Sequence, residues 1–153
     1  MRIRLLFVGR TDRGFVADGL AEYLGRMARM AEVEAIIVPE ERGADPERQR
    51  AEEGQRVLGA LKPGERLVVL DERGELLTSP AFAARLGAWR DSGTRQIAFA
   101  VGGAYGHSDA VRARADLVLA LSPMTFPHQL VRVLFAEQLY RALMILNRRP
   151  YHH

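Results

Sequence analysis

The chain has 153 residues, 48% hydrophobic and 27% charged, with a net charge of +3; this is the size and balance of one globular domain, not of a disordered or fibrous polymer. It contains no cysteine, which excludes disulfides, thiolate metal sites, iron–sulfur clusters and a cysteine nucleophile. The most apolar stretch, 130–146, is interrupted by Arg132, Glu137 and Arg141, and the apolar run behind Met1 is too short for a signal-peptide core, so a soluble cytoplasmic protein is expected.

Short runs rich in strand-forming residues alternate with helical patterns. The first strand is expected at 2–8, then a helix at 14–29, a strand at 33–38, a helix at 46–60 and a strand at 66–71. A helix at 79–90 follows, capped by Ser79 with Pro80 in its first turn. Next come a strand at 96–101, a helix at 108–115 capped by Ser108, a strand at 116–121 and a last helix at 128–146. Several strands are nearly continuous in apolar residues, the pattern of strands covered on both faces. Nothing resembling a linker or repeat divides the chain. The expected fold is therefore one α/β domain over 1–153, with a mostly parallel sheet and helices on both faces.

Charge is uneven along the chain. Residues 32–53 hold eight acids against three arginines, whereas 112–153 hold six arginines against two acids. The basic end suits a polyanionic partner, although a solvated face accounts for it equally. Lys62 is the single lysine and Pro63 follows it, so a Gly-Lys-Ser/Thr phosphate loop is absent. Arginine favours bidentate phosphate contacts, but arginine-biased codon usage gives the same count.

In open parallel sheets, ligands bind beyond the carboxyl ends of the strands. Three loops take that position: Leu70–Gly74, Val101–Gly106 and Leu121–His128. The second, Gly-Gly-x-x-Gly, lacks the spacing of a dinucleotide fingerprint and serves equally as a tight turn. The third, with two prolines, Met124 and Phe126, is a stiff apolar turn with several free backbone groups. The last helix is apolar on more than one face, as expected for deep burial or for a helix shared with a second copy of the chain. Glu137 and Arg141 are spaced to pair. The closing Arg148-Arg149-Pro150-Tyr151-His152-His153 suits RNA stacking and phosphate contact, while a terminal double histidine is also what an expression tag leaves.

Taken together, Leu70-Asp71 with Gly74, Val-Gly-Gly-x-x-Gly at 101–106, Ser-x-Met-Thr-Phe-Pro-His-Gln at 122–129, Val-Arg-Val-Leu at 131–134, Glu-Gln-Leu-Tyr-Arg-Ala at 137–142 and the closing Pro-Tyr-His resemble the RlmH family. These are SPOUT-class methyltransferases that modify a pseudouridine of 23S ribosomal RNA. The resemblance spans the whole chain and makes Tyr151 and His152 family residues, whereas His153 stands where the family often has Arg or Lys.

The resemblance implies a C-terminal trefoil knot, which ordinary topology rules disfavour, and a homodimer packed through the last helix. It implies S-adenosylmethionine held by Leu70, Gly102, Gly103, Leu121, Ser122, Pro123, Met124, Thr125, Phe126 and Pro127, with no metal required. The implied reaction is methyl transfer to N3 of pseudouridine in the assembled ribosome. That nitrogen must lose a proton, for which His152 is the favoured base over His128. Tyr151 is expected to stack on or orient the base, and Arg132 and Arg141 to hold phosphate or a uracil oxygen. A docking protein without catalysis and an enzyme acting on a free nucleotide are the rival readings; retention of Gly103 and the whole 122–128 loop argues against the first.

Overall fold

A computed structural model describes residues 1–153. Five strands form one sheet: β1 (Arg2–Val8), β2 (Glu32–Val38), β3 (Arg66–Leu76), β4 (Gln96–Val101) and β5 (Leu117–Ala120). Their spatial order is β2-β1-β4-β3-β5, and every neighbouring pair is parallel. The helices α1 (Phe15–Met27), α2 (Pro46–Ala60), α3 (Ser79–Asp91), α4 (Asp109–Arg114) and α5 (His128–Leu146) connect and flank them.

Successive strand residues point to opposite faces, and this alternation sorts the core. Ile3, Leu5, Phe7, Val68, Leu70, Ile97 and Phe99 face α1, α3 and α5, meeting Leu20, Phe82, Leu86, Phe135 and Leu139 in the larger cluster. Leu6, Val8, Leu67, Val69, Ala98 and Ala100 face α2 and α4 through Val57 and Val111. Both faces are covered, which is why the strands read as unbroken apolar runs. The expected α/β domain with helices on both faces is therefore present.

Two local expectations change. Thr78, not Ser79, caps α3: its hydroxyl accepts the Ala81 amide at 3.2 Å. Ser79 falls inside the first turn and donates its hydroxyl to Gln138 on α5 at 2.6 Å. β3 also runs past the expected 66–71. Leu70 pairs with Leu119, the register breaks, and Glu75 pairs with the same Leu119. Residues 71–74 thus arch over β5 before β3 rejoins it. Gly74 permits the crossing, since a Cβ there would lie 2.5 Å from the Val118 carbonyl oxygen. Ser108 caps α4 as expected, accepting the Val111 amide at 3.3 Å.

Candidate functional site

The carboxyl ends of β3, β4 and β5 open into a cleft of about 640 Å³. One wall is the β3 exit, Leu70–Arg73; a second is the glycine loop that follows β4; a third is the β5–α5 loop together with Val131. Of the residues expected to hold a cofactor, Leu70, Gly102, Gly103, Leu121, Ser122, Met124, Thr125, Phe126 and Pro127 all line this cleft. Pro123 lies in the same loop, exposed, but is not part of the wall.

Each wall is fixed by its own sequence. The Ser122 hydroxyl accepts the Met124 amide at 3.0 Å, tightening the turn, and Thr125 donates to the Glu72 carboxylate at 2.9 Å, tying the β5–α5 loop to the β3 exit. In the glycine loop, Gly103 and Gly106 form an isolated antiparallel bridge. Gly102 packs so closely on Gly106 that a Cβ would stand 3.0 Å from its carbonyl carbon, so a side chain there would push the loop open.

The cleft also contains residues that sequence reasoning missed. Asp71 lines it, with its Oδ1 accepting the Arg73 amide at 2.9 Å and its Oδ2 accepting from Arg112 at 3.1 Å. Burial alone would raise the Asp71 carboxyl; the Arg73 amide and the Arg112 guanidinium outweigh it and hold the group below its ordinary range. His107, directly after the glycine loop, is buried in the wall with Nε2 3.2 Å from the Ala100 carbonyl oxygen. Burial pushes its pKa down to about 4, so the ring is neutral at physiological pH and Nε2 carries the proton donated to Ala100. Its place beside the glycine loop was the signal available in the sequence.

The expected catalytic residues divide. Tyr151, His152 and Arg141 form one cluster around Glu137. The Glu137 carboxylate accepts from Arg141 Nε and Nη2 and, at 3.1 Å, from the Tyr151 hydroxyl. Arg141 lies 4.7 Å from the Tyr151 ring centroid and 3.3 Å from His152 Nδ1. Burial first, then the hydrogen bond to Glu137, pushes the Tyr151 phenol up to about 12. None of the three lines the cleft: Arg141 follows the cleft residue His128 by 13 helical residues, roughly 20 Å at 1.5 Å per residue. A second cavity of about 470 Å³ shares Leu119, Leu121 and Phe126 with the cleft and reaches Glu137. Glu137, read from the sequence only as a partner of Arg141, is the hub of the cluster.

Arg132 lies elsewhere, which corrects its expected role. It is fully buried and donates to the Val8 and Gly9 carbonyl oxygens and to the Thr11 hydroxyl. Its side chain bolts α5 to the end of β1, and no part of it reaches solvent to meet a phosphate.

Residues 1–152 match the family model described as "Predicted SPOUT methyltransferase". Over all 153 residues the chain is 49% identical to the ribosomal RNA large subunit methyltransferase H of Geobacter metallireducens, covering 99% of that protein. It is 50% identical to the protein of the same name from Pelobacter propionicus, again over the full length of both. Among solved structures, a probable methyltransferase from Bordetella pertussis superposes with a TM-score of 0.54 at 16% identity, over 93% of this chain and 96% of that one. A probable methylase family protein from Haemophilus influenzae gives 0.52 at 13% identity, over 95% of this chain and 66% of that one. At these identities the two structures speak to fold alone.

Proposed function

The chain belongs to the SPOUT methyltransferase family, and on that premise we propose that it transfers a methyl group from S-adenosylmethionine to N3 of a pseudouridine in 23S ribosomal RNA. The observation that carries the reading is the cleft, where nine of the ten residues expected to hold the cofactor meet at the carboxyl ends of three parallel strands. Its lining suits an adenosyl group: Leu70, Leu121, Phe126, Pro127 and Val131 are apolar, and Gly102 and Gly103 let backbone groups approach closely. S-adenosylmethionine supplies an electrophilic methyl on a sulfonium with its leaving group built in. The names of the relatives supply the RNA class.

The chain's own contribution is positioning and proton removal. His152, exposed at the chain end, takes the N3 proton at Nδ1, the atom 3.3 Å from Arg141, once the substrate base displaces that contact. Tyr151, held by Glu137, orients the base, and Arg141 answers negative charge on the nucleotide. Arg148 and Arg149, both exposed, meet phosphates of the stem-loop. The substrate in this reading is the assembled ribosome, in the cytoplasm; no helix of the chain is long and apolar enough to cross a membrane.

The chain works as a homodimer packed through α5, whose Val133, Leu134 and Ile145 remain only half-buried. Cleft and tail cluster lie apart in one chain, and pairing two chains brings the tail of one to the cleft of the other. A knotted C-terminal path belongs to this reading through the family resemblance alone.

The test is incubation of the purified protein with radiolabelled S-adenosylmethionine and ribosomes from cells lacking this gene, with the label mapped to a nucleotide. Label at N3 of one 23S pseudouridine is the expected result. Ribosome binding without label would overturn the reading in favour of a docking protein.

A further inference from the structure

We infer that Arg112 is a positioning residue for the methyl donor: with Asp71 it forms a strut that sets the distance between two walls of the cofactor cleft. This rests on the cleft's being the donor site, as proposed above.

The strut is built from one side chain with two anchor points. Arg112 Nη1 donates to Asp71 Oδ2 at 3.1 Å, on the β3 exit, and to the His107 carbonyl oxygen at 2.7 Å, at the end of the glycine loop. The second terminal nitrogen meets Asp109 on its own helix. Both walls belong to the cleft, since Asp71 and His107 line it, while Arg112 itself stands behind them and does not. The pair is well shielded, with 18% of the Arg112 side chain and 7% of the Asp71 side chain exposed. Shielding makes the contact stiffer than a surface ion pair.

The β3 exit is tied to the β5–α5 loop by Thr125 and Glu72, but no other side-chain hydrogen bond joins it to the glycine loop. β3 leaves the sheet at Leu70 and rejoins β5 only at Glu75, so Asp71 sits on an unpaired arch. The glycine loop closes on itself, through the Gly103–Gly106 bridge and the packing of Gly102 on Gly106. The Asp71 carboxylate closes the arch locally by accepting the Arg73 amide, and Arg112 then fixes that closed arch against the glycine loop. A ligand lying between the walls is held at the width the strut sets. Freed walls would have to be ordered on binding, and the cost would appear in affinity for the donor.

The experiment measures binding of S-adenosylhomocysteine by calorimetry to the full-length protein, alongside steady-state methylation of ribosomes. Arg112→Gln and Asp71→Asn are each expected to raise Kd about tenfold, the scale of one charge-assisted hydrogen bond. The double variant should be no weaker than either single one. Arg112→Lys should recover part of the loss by restoring one of the two bonds. In turnover, the effect should fall on KM for S-adenosylmethionine rather than on kcat. Asp71→Asn is isosteric and keeps an oxygen for the Arg73 amide, so it tests the strut even if Arg112→Gln folds poorly. Unchanged Kd in Asp71→Asn, or additive losses in the double variant, would overturn the strut. Failure of the unaltered protein to bind S-adenosylhomocysteine would instead remove the donor-site reading beneath it.

Discussion

Arg132 donates to the carbonyl oxygen of Val8 at 2.7 Å, joining the N-terminal part of the last helix to the end of the first strand across 124 residues of sequence. The same guanidinium satisfies Gly9 and Thr11 and lies 4.9 Å from the Phe7 ring centroid. Replacing it leaves buried carbonyl groups without a donor, and Arg132→Met should cost about 3 kcal/mol of folding stability. Urea denaturation followed by circular dichroism checks this. A loss below about 1 kcal/mol would mean that water replaces the guanidinium.

Gly74→Ala should destabilise the fold by about 2–3 kcal/mol through overpacking, because the new methyl meets the rigid backbone of β5. Gly59→Ala is the control: a Cβ there meets nothing within 4 Å, and α2 gains a better helix former. Thermal melts of the two variants should move in opposite directions.

His107 makes stability depend on pH. Its pKa is about 4 in the folded chain against an ordinary value of 6.5, so between these values the unfolded chain binds the extra proton. Stability therefore rises with pH through this window and falls as the solution is acidified below about 6.5. The His107 contribution to the loss between about pH 7 and pH 5 should be about 2 kcal/mol. His107→Gln keeps a donor for the Ala100 carbonyl but does not titrate, and its denaturation midpoint should fall less over that range than the unaltered protein's.

The phenol of Tyr151 should ionise well above the ordinary tyrosine range. Burial and the Glu137 carboxylate both oppose the phenolate, placing it at about 12. Glu137→Gln removes the negative charge and should bring this titration back toward 10, read as tyrosinate ultraviolet absorbance with Tyr151→Phe as the reference. An unshifted titration in Glu137→Gln would leave burial as the whole cause.

Loss of the proposed base should reduce turnover without weakening cofactor binding. His152→Ala is expected to lower kcat on ribosomes by about a hundredfold while Kd for S-adenosylhomocysteine stays within about twofold. An unchanged kcat would transfer the proton-accepting role to another group.

The sequence by itself determined the layered architecture. Apolar runs such as Leu5-Leu6-Phe7-Val8 require cover on both faces, and the alternation of short strands with helices leaves a parallel sheet as the economical way to provide it. It also marked the three loops at the strand ends, because Gly102-Gly103 and the proline-bounded turn at 123–127 are local signals that need no partner to be read. The tertiary structure alone decided what the charged residues do. Arg132, Arg141 and Arg112 are indistinguishable as letters, yet one is buried on backbone carbonyls, one joins the tail cluster and one spans the cleft wall. The extra pairing of β3 beyond Leu70 was equally hidden, since it depends on a single glycine passing against a strand more than 40 residues away. Periodicity reports which face of an element is wet, whereas the partner of a side chain is set by where distant segments meet.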